Sequence, residues 1–82
     1  MNIMIRTKLM ALLKTIEDLE TIDLENEHHL ISGGCIDSFS ILIMVAKIEE
    51  QFGVKLQIVD DLEVHLNSVD LIVKLIEMSP KK

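Results

Sequence analysis

Gly33–Phe39, which reads GGCIDSF, joins a long irregular segment to a strongly apolar one. Asp37 can accept a hydrogen bond from a backbone N–H three residues later and so cap a helix. The apolar segment ends at Gly53, and glycine tolerates the left-handed conformation in which helices commonly stop. The sequence therefore predicts a helix over residues 37–52, with Ser38 in its first turn.

Three more helices are predicted on either side of this one. Apolar residues recur every three or four positions over residues 3–19, which indicates an amphipathic helix. After the central helix, a short helix is expected over 60–66, and a last one over 68–78, before Pro80. The expected fold is all-α: a single domain over residues 1–82, built as a small four-helix bundle with a short helix 3.

The segment between the first two helices has no helical period and is long for so small a domain. It contains the apolar residues Ile22, Leu24, Leu30 and Ile31. Long loops are usually functional or flexible, and these side chains favour a loop pinned across the core. We therefore expect an ordered connection that leads into Gly33–Phe39.

Length and charge limit the possible functions. A chain of 82 residues buries too little surface to form a deep enzymatic cleft. The net charge is −6, and six acids fall between Glu17 and Glu27 without an intervening base. Such a segment repels a phosphate backbone, so no nucleic-acid partner is expected.

Cysteine usage and hydropathy point to a protein of a reducing compartment. Cys35 is the only cysteine, which excludes an internal disulfide, and a packing role is expected for it. No apolar run approaches the roughly 18 residues that a membrane span requires. We expect a cytoplasmic protein that does not insert into membranes.

Ser38 is the candidate functional residue. A hydroxyl in the first turn of a helix lies near backbone N–H groups that have no intrahelical acceptor. A phosphate esterified to it would be favoured by those donors and by the helix dipole. Gly33 and Gly34 allow a sharp turn that leaves the serine accessible to a modifying enzyme.

The sequence resembles the acyl carrier protein family, which includes peptidyl and D-alanyl carrier domains. The family opens its second helix with Gly-x-x-Asp-Ser followed by Leu, Met or Phe, and Gly34–Phe39 matches this pattern. Glu49–Gly53 matches the Glu-Glu-x-Phe-Gly motif that closes the helix. Leu24 and Leu30 in the loop, and Ser68 at the start of the last helix, also fit, so the resemblance covers essentially the whole chain.

The resemblance implies a carrier rather than an enzyme. Ser38 would receive 4′-phosphopantetheine from a magnesium-dependent phosphopantetheinyl transferase, and Asp37 would take part in recognition by that enzyme. The thiol of the arm would hold an acyl or aminoacyl group as a thioester. A monomeric carrier of this kind would meet a loading enzyme and a downstream synthase or transferase of fatty acid or other lipid, polyketide, nonribosomal peptide or cell-envelope biosynthesis.

The chain departs from the family on the predicted docking face. Carriers of fatty acid synthesis usually place acids where this chain has Ser40 and Ile43, so the early recognition face has lost its charge. Helical spacing assigns Leu42, Val45, Ile48 and Phe52 to the core, so that Ile41 and Ile43 would face outward. An exposed apolar patch usually marks a contact site. The predicted partner-binding residues are Phe39, Ser40, Ile41, Ile43, Glu49 and Glu50.

The residues also allow plainer interpretations. The protein could be a small helical protein–protein interaction module without a prosthetic group, with Ser38 serving only as a first-turn serine. His28 and His29 are adjacent and lack a second spaced pair, so a solvated loop is expected there rather than a metal site. No recognisable motif places a histidine beside Ser38, so no catalytic residue is predicted.

Overall fold

The computed structural model describes residues 3–58 and 61–82 and is built from helices. No helix in those residues is long and apolar enough to cross a membrane. They contain no β-strand, only one isolated bridge between Val54 and Lys81. The predicted all-α fold, with a long connection before the second helix and a short third helix, is confirmed. The helices are α1 (Ile3–Leu13), α2 (Ser38–Phe52), α3 (Leu62–Leu66) and α4 (Val69–Met78).

Helix α1 ends at Leu13, so the prediction that it continues to residue 19 was wrong. The Thr15 hydroxyl donates a 2.6 Å hydrogen bond to a backbone carbonyl three residues earlier. A side chain that bonds the local backbone in this way competes with the helical pattern. Ile16 is then extended, with φ −89° and ψ 123°, and Glu17–Leu19 forms one 3₁₀ turn. Ile16 remains buried, which explains why the apolar spacing continues beyond the helix.

Both ends of α2 agree with the sequence. The Asp37 carboxylate accepts a 2.8 Å hydrogen bond from the backbone N–H of Ser40, as a capping residue does. At the other end Gly53 has φ 63° and ψ 35°, the left-handed conformation that stops a helix. The predicted position of Ser38 in the first helical turn is therefore confirmed.

The two C-terminal helices lie close to their predicted ranges. Helix α3 is described from Leu62, and its predicted start at Asp60 lies outside the described residues. Ser68 precedes α4, and its hydroxyl accepts a 3.2 Å hydrogen bond from the Leu71 N–H. The helix ends at Met78, as expected.

The loop between α1 and α2 contributes to the hydrophobic core. Leu24 and Leu30 are almost fully buried and belong to the same cluster as the helix residues. Burying these side chains removes apolar surface from water and holds the loop on the helices. The prediction that the loop is pinned across the core is confirmed.

Asn67, between α3 and α4, binds the loop through its backbone and its side chain. Its backbone carbonyl accepts a 2.9 Å hydrogen bond from the Leu30 N–H. Its Oδ1 accepts from the N–H groups of Ile31 and Ser32, at 2.8 and 3.0 Å. Its Nδ2 donates to the Ser32 hydroxyl at 3.1 Å. The junction of the last two helices thus supplies the hydrogen-bond partners of the loop immediately before Gly33.

Replacing Asn67 by alanine should destabilise the protein. Two backbone N–H groups of the loop would lose their acceptor, so we expect the free energy of unfolding to fall by about 1–3 kcal/mol. Urea denaturation followed by circular dichroism measures this loss.

Asn26→Ala is the matched control. The Asn26 amide makes only a local 2.8 Å bond to Asp23 in an exposed part of the loop, so its removal should cost less than about 0.5 kcal/mol. Equal losses for the two variants would contradict the role assigned to Asn67.

Candidate functional site

Ser38 is the first residue of α2, and its side chain is exposed. Within the described part of the chain, no group forms a hydrogen bond to its hydroxyl. The N–H groups of Ser38 and Phe39 open the helix and have no intrahelical acceptor. The site therefore offers an accessible hydroxyl beside free backbone donors.

Hydrogen bonds fix both the side chain and the backbone of Asp37. Its Oδ1 accepts the Ser40 N–H, while its own N–H donates to Oδ2 of Asp18 at 3.1 Å. Asp37 is itself exposed, so a partner protein can reach its carboxylate. The prediction that it caps the helix is confirmed; its recognition role stays a prediction.

The backbone conformation before Ser38 requires glycine at both Gly33 and Gly34. Gly34 has φ 73°, a value that residues with a side chain rarely adopt. The Gly33 N–H donates a 2.7 Å hydrogen bond to the His29 carbonyl, and a Cβ on Gly33 would lie 2.6 Å from the same oxygen. A side chain at Gly33 would therefore displace the turn that leads to Ser38.

An apolar groove lies beside Ser38. Its volume is about 490 Å³, and it is open to solvent along the side of α2. Leu62 of α3 and Ile58, which precedes that helix, contribute to it. The lining is Ser38, Ile41, Leu42, Val45, Ala46, Glu49, Ile58 and Leu62.

The orientation of α2 differs from the prediction. Ile41 was expected to face outward but is only 8% exposed, whereas Leu42 was assigned to the core and is 70% exposed. Residues 41–45 are all apolar, so helical spacing there fits more than one orientation. The buried stripe of α2 in fact runs through Ile41, Met44 and Ile48.

The exposed face of α2 carries the stripe Phe39, Leu42 and Ala46, which we call the exposed stripe. Phe39 is 71% exposed, as its predicted role in partner binding requires. These positions are three and four residues apart and so lie on one side of the helix. Ser40 and Ile43 are only half-buried and border it. The exposure of Leu42 was not predicted, because all of its neighbours in residues 41–45 are apolar and no spacing identifies the outward face.

The two acids at the end of α2 differ in their surroundings. Glu49 accepts a 2.9 Å hydrogen bond from the Leu56 N–H, and its other carboxylate oxygen lies 3.7 Å from the Lys82 ammonium. Glu49 therefore holds the segment that follows α2, a role that was not predicted. Glu50 is exposed.

A second recess, with polar residues, lies on the other side of the helix start. Asp18, Asp37 and Ser40 line it together with Lys47, whose ammonium donates a 3.1 Å hydrogen bond to the Thr15 hydroxyl. Neither Asp18 nor Lys47 could be predicted as part of the site, because their contacts join residues far apart in the chain.

The surroundings of Cys35 do not favour a reactive thiol. Burial raises the pKa of the Cys35 thiol, and the negative charge of Glu27 raises it further. A raised pKa keeps the thiol protonated at neutral pH, whereas nucleophilic cysteines are thiolates. In residues 3–58 and 61–82, no group of three His, Cys, Asp or Glu side chains is placed to hold a metal ion.

Comparison with known protein families gives a match over most of the chain. A family model described as "Phosphopantetheine attachment site" matches residues 7–76, a range that includes Asp37, Ser38 and the whole of α2. No curated protein and no solved structure matches the chain.

The orientation of α2 can be tested by two alanine substitutions in adjacent residues. Ile41→Ala should lower the free energy of unfolding by about 2–5 kcal/mol, because it removes a buried side chain. Leu42→Ala should change it by less than about 0.5 kcal/mol, because that side chain is in solvent. Chemical denaturation compares them, and the opposite order would restore the orientation predicted from the sequence.

Proposed function

This chain belongs to the phosphopantetheine attachment family, and we propose that it is an acyl carrier protein whose 4′-phosphopantetheine is attached to Ser38. Family members carry this group covalently on a serine. The observation that supports Ser38 is its exposed hydroxyl, unbonded within the described residues, in the first turn of a long helix.

The other serines are less suited to modification. Ser68 and Ser79 are buried, and their hydroxyls bond the backbone at the two ends of α4. The Ser32 hydroxyl is bonded to Asn67, and Ser40 is half-buried. Ser38 thus combines exposure with a hydroxyl that makes no competing hydrogen bond in the described residues.

The residues around Ser38 fit the phosphate of such a group. The Ser38 oxygen would form the ester, and the first-turn N–H groups and the helix dipole would stabilise the negative charge. The Asp37 carboxylate keeps this turn closed by accepting the Ser40 N–H. Asp37 is also exposed, which supports a part for it in recognition by a phosphopantetheinyl transferase.

The prosthetic group supplies a flexible arm with a terminal thiol, which holds an acyl or aminoacyl group as a thioester. The chain itself then presents the cargo and catalyses no reaction. Ile41, Leu42 and Val45 line the groove beside Ser38 and offer an apolar surface to that cargo. The partners are the transferase, a loading enzyme and a downstream synthase or transferase of lipid, polyketide, nonribosomal peptide or cell-envelope biosynthesis.

The exposed stripe is proposed as the docking surface for these enzymes. No charged residue occurs between Ser38 and Ala46, so this stretch of α2 offers no charged side chain to a partner. Phe39 and Leu42 instead offer large apolar side chains next to the attachment site. A partner enzyme with an apolar contact surface suits this face, since burying such residues favours association.

The attachment residue is tested by loading the protein in vitro. The chain is incubated with coenzyme A, Mg²⁺ and each of several phosphopantetheinyl transferases, and its intact mass is measured. We expect one phosphopantetheine adduct on the wild type and on Ser40→Ala, and none on Ser38→Ala. An unmodified wild type would contradict the proposal and favour an interaction module without a prosthetic group.

The docking surface is tested by introducing a charge into the exposed stripe. Leu42→Glu should lower kcat/KM for loading by the transferase roughly tenfold, mainly through KM, because a carboxylate would be desolvated in the complex. Loading rates at several carrier concentrations give both constants.

Met78→Glu is the matched control, since Met78 is 75% exposed but lies at the end of α4. Its kcat/KM should stay within about twofold of wild type, as expected for a surface residue away from the contact. An equal loss in both variants would contradict a docking role for the stripe.

A further inference from the structure

The start of α2 has half of a capping box, and the other half is supplied from outside the helix. In a capping box the capping side chain accepts an N–H three residues on, and a Glu or Gln at that later position accepts the N–H of the capping residue. Asp37 performs the first part, with the Ser40 N–H at 2.8 Å. Ser40 has no side-chain carbonyl with which to perform the second.

Asp18 takes the place of the missing acceptor. Its Oδ2 accepts the Asp37 N–H at 3.1 Å, across nineteen positions of sequence. We propose that Asp18 is a positioning residue for the modification of Ser38: it fixes the backbone of Asp37 and thereby the direction in which α2 presents the Ser38 hydroxyl. This inference rests on the proposed attachment at Ser38.

Asp18 lies beside Asp37 because α1 ends at Leu13 and the chain changes direction before Asp18. Thr15 interrupts the helix, and the 3₁₀ turn Glu17–Leu19 follows. Leu19 is fully buried and Ile16 nearly so, which anchors the turn on both sides of the acid. Asp18 itself is half-buried, so its side chain is held near the helix start while remaining reachable by water.

Removal of the Asp18 side chain is expected to change the orientation of Ser38 more than the free energy of unfolding. Asp37 is exposed, so water can bond its N–H when Asp18 is removed, and no buried group is left unpaired. The backbone before Ser38 would then have more freedom. Enzymes lose rate when a reacting group is imperfectly oriented, even if binding is unchanged.

The variants Asp18→Ala, Asp18→Asn and Glu17→Ala separate this role from a general charge effect. Asparagine keeps an oxygen acceptor at the same position but lacks the charge. Glu17 is an exposed acid of the same 3₁₀ turn whose carboxylate has no hydrogen bond or ion pair in the described residues. Glu17 also lines the polar recess with Asp37, so Glu17→Ala removes a nearby negative charge but leaves the hydrogen bond from the Asp37 N–H to Asp18 in place.

Loading by a phosphopantetheinyl transferase with coenzyme A and Mg²⁺ is the first measurement. We expect kcat for Asp18→Ala to fall roughly three- to tenfold, the equivalent of one hydrogen bond, with KM for the carrier within about twofold of wild type. Asp18→Asn and Glu17→Ala should keep both constants within about twofold. A variant that had only lost structure would not combine these three results: a lower kcat, an unchanged KM and recovery of kcat in Asp18→Asn.

Amide hydrogen exchange, followed by NMR, is the second measurement. The Asp37 N–H should exchange faster in Asp18→Ala than in the wild type and stay protected in Glu17→Ala, because only the first variant loses the acceptor. Thermal unfolding confirms that each variant is folded at the assay temperature. If Asp18→Ala is not, Asp18→Ser replaces it, since serine also lacks an oxygen at the position of Oδ2 but keeps a polar side chain in this half-buried turn.

The outcomes distinguish this inference from the proposed function. A wild type that accepts no phosphopantetheine overturns the proposed function, and the role of Asp18 with it. Normal loading of both the wild type and Asp18→Ala overturns the role of Asp18 alone. Equal slowing of all three variants also overturns it, because charge rather than the bond to Asp37 would then govern loading.

Discussion

The position of the candidate site is governed by the way in which the long loop between α1 and α2 is held on the helices. Leu30 is buried in the core, and Asn67 bonds the backbone of Leu30, Ile31 and Ser32. In so small a protein the helices alone bury little surface, so the loop must contribute side chains to the core. Because the loop is fixed immediately before Gly33, the turn through Gly33 and Gly34 starts from a defined position.

The functional site follows from that fixed turn. Gly34 adopts a left-handed conformation in this turn, and Asp37 then caps the first turn of α2. The bond from Asp18 adds a contact from the other end of the loop. Both ends of the loop therefore converge on the residue before Ser38. The proposed attachment at Ser38 needs a residue that enzymes can reach and that is presented in one direction. Ser38 is exposed, and these contacts would fix its direction.

The surface beside Ser38 has two different sides. The groove and the exposed stripe are apolar, with Leu42 contributing to both, whereas the recess on the other side has Asp18, Asp37 and Lys47 in its lining. Apolar contacts have little directionality, while hydrogen bonds fix orientation. In the proposed carrier, the first side would supply contact with partners and cargo, and the second would hold the helix start in place.

The sequence is enough to predict the helical fold, the caps of α2 at Asp37 and Gly53, and the exposure of Ser38. These features depend on local backbone preferences and on the spacing of apolar residues, both of which can be read along the chain. The end of α1 also has a local cause, the hydrogen bond that the Thr15 hydroxyl donates to the backbone. It was not predicted, because the apolar spacing continues past Thr15 to residue 19. The tertiary structure alone decided that Ile41 is buried and Leu42 exposed, because five consecutive apolar residues leave the orientation of a helix to its packing partners. It alone brought Asp18 to Asp37 and Asn67 to the loop, because those hydrogen bonds join residues far apart in the chain and leave no periodic mark in the sequence.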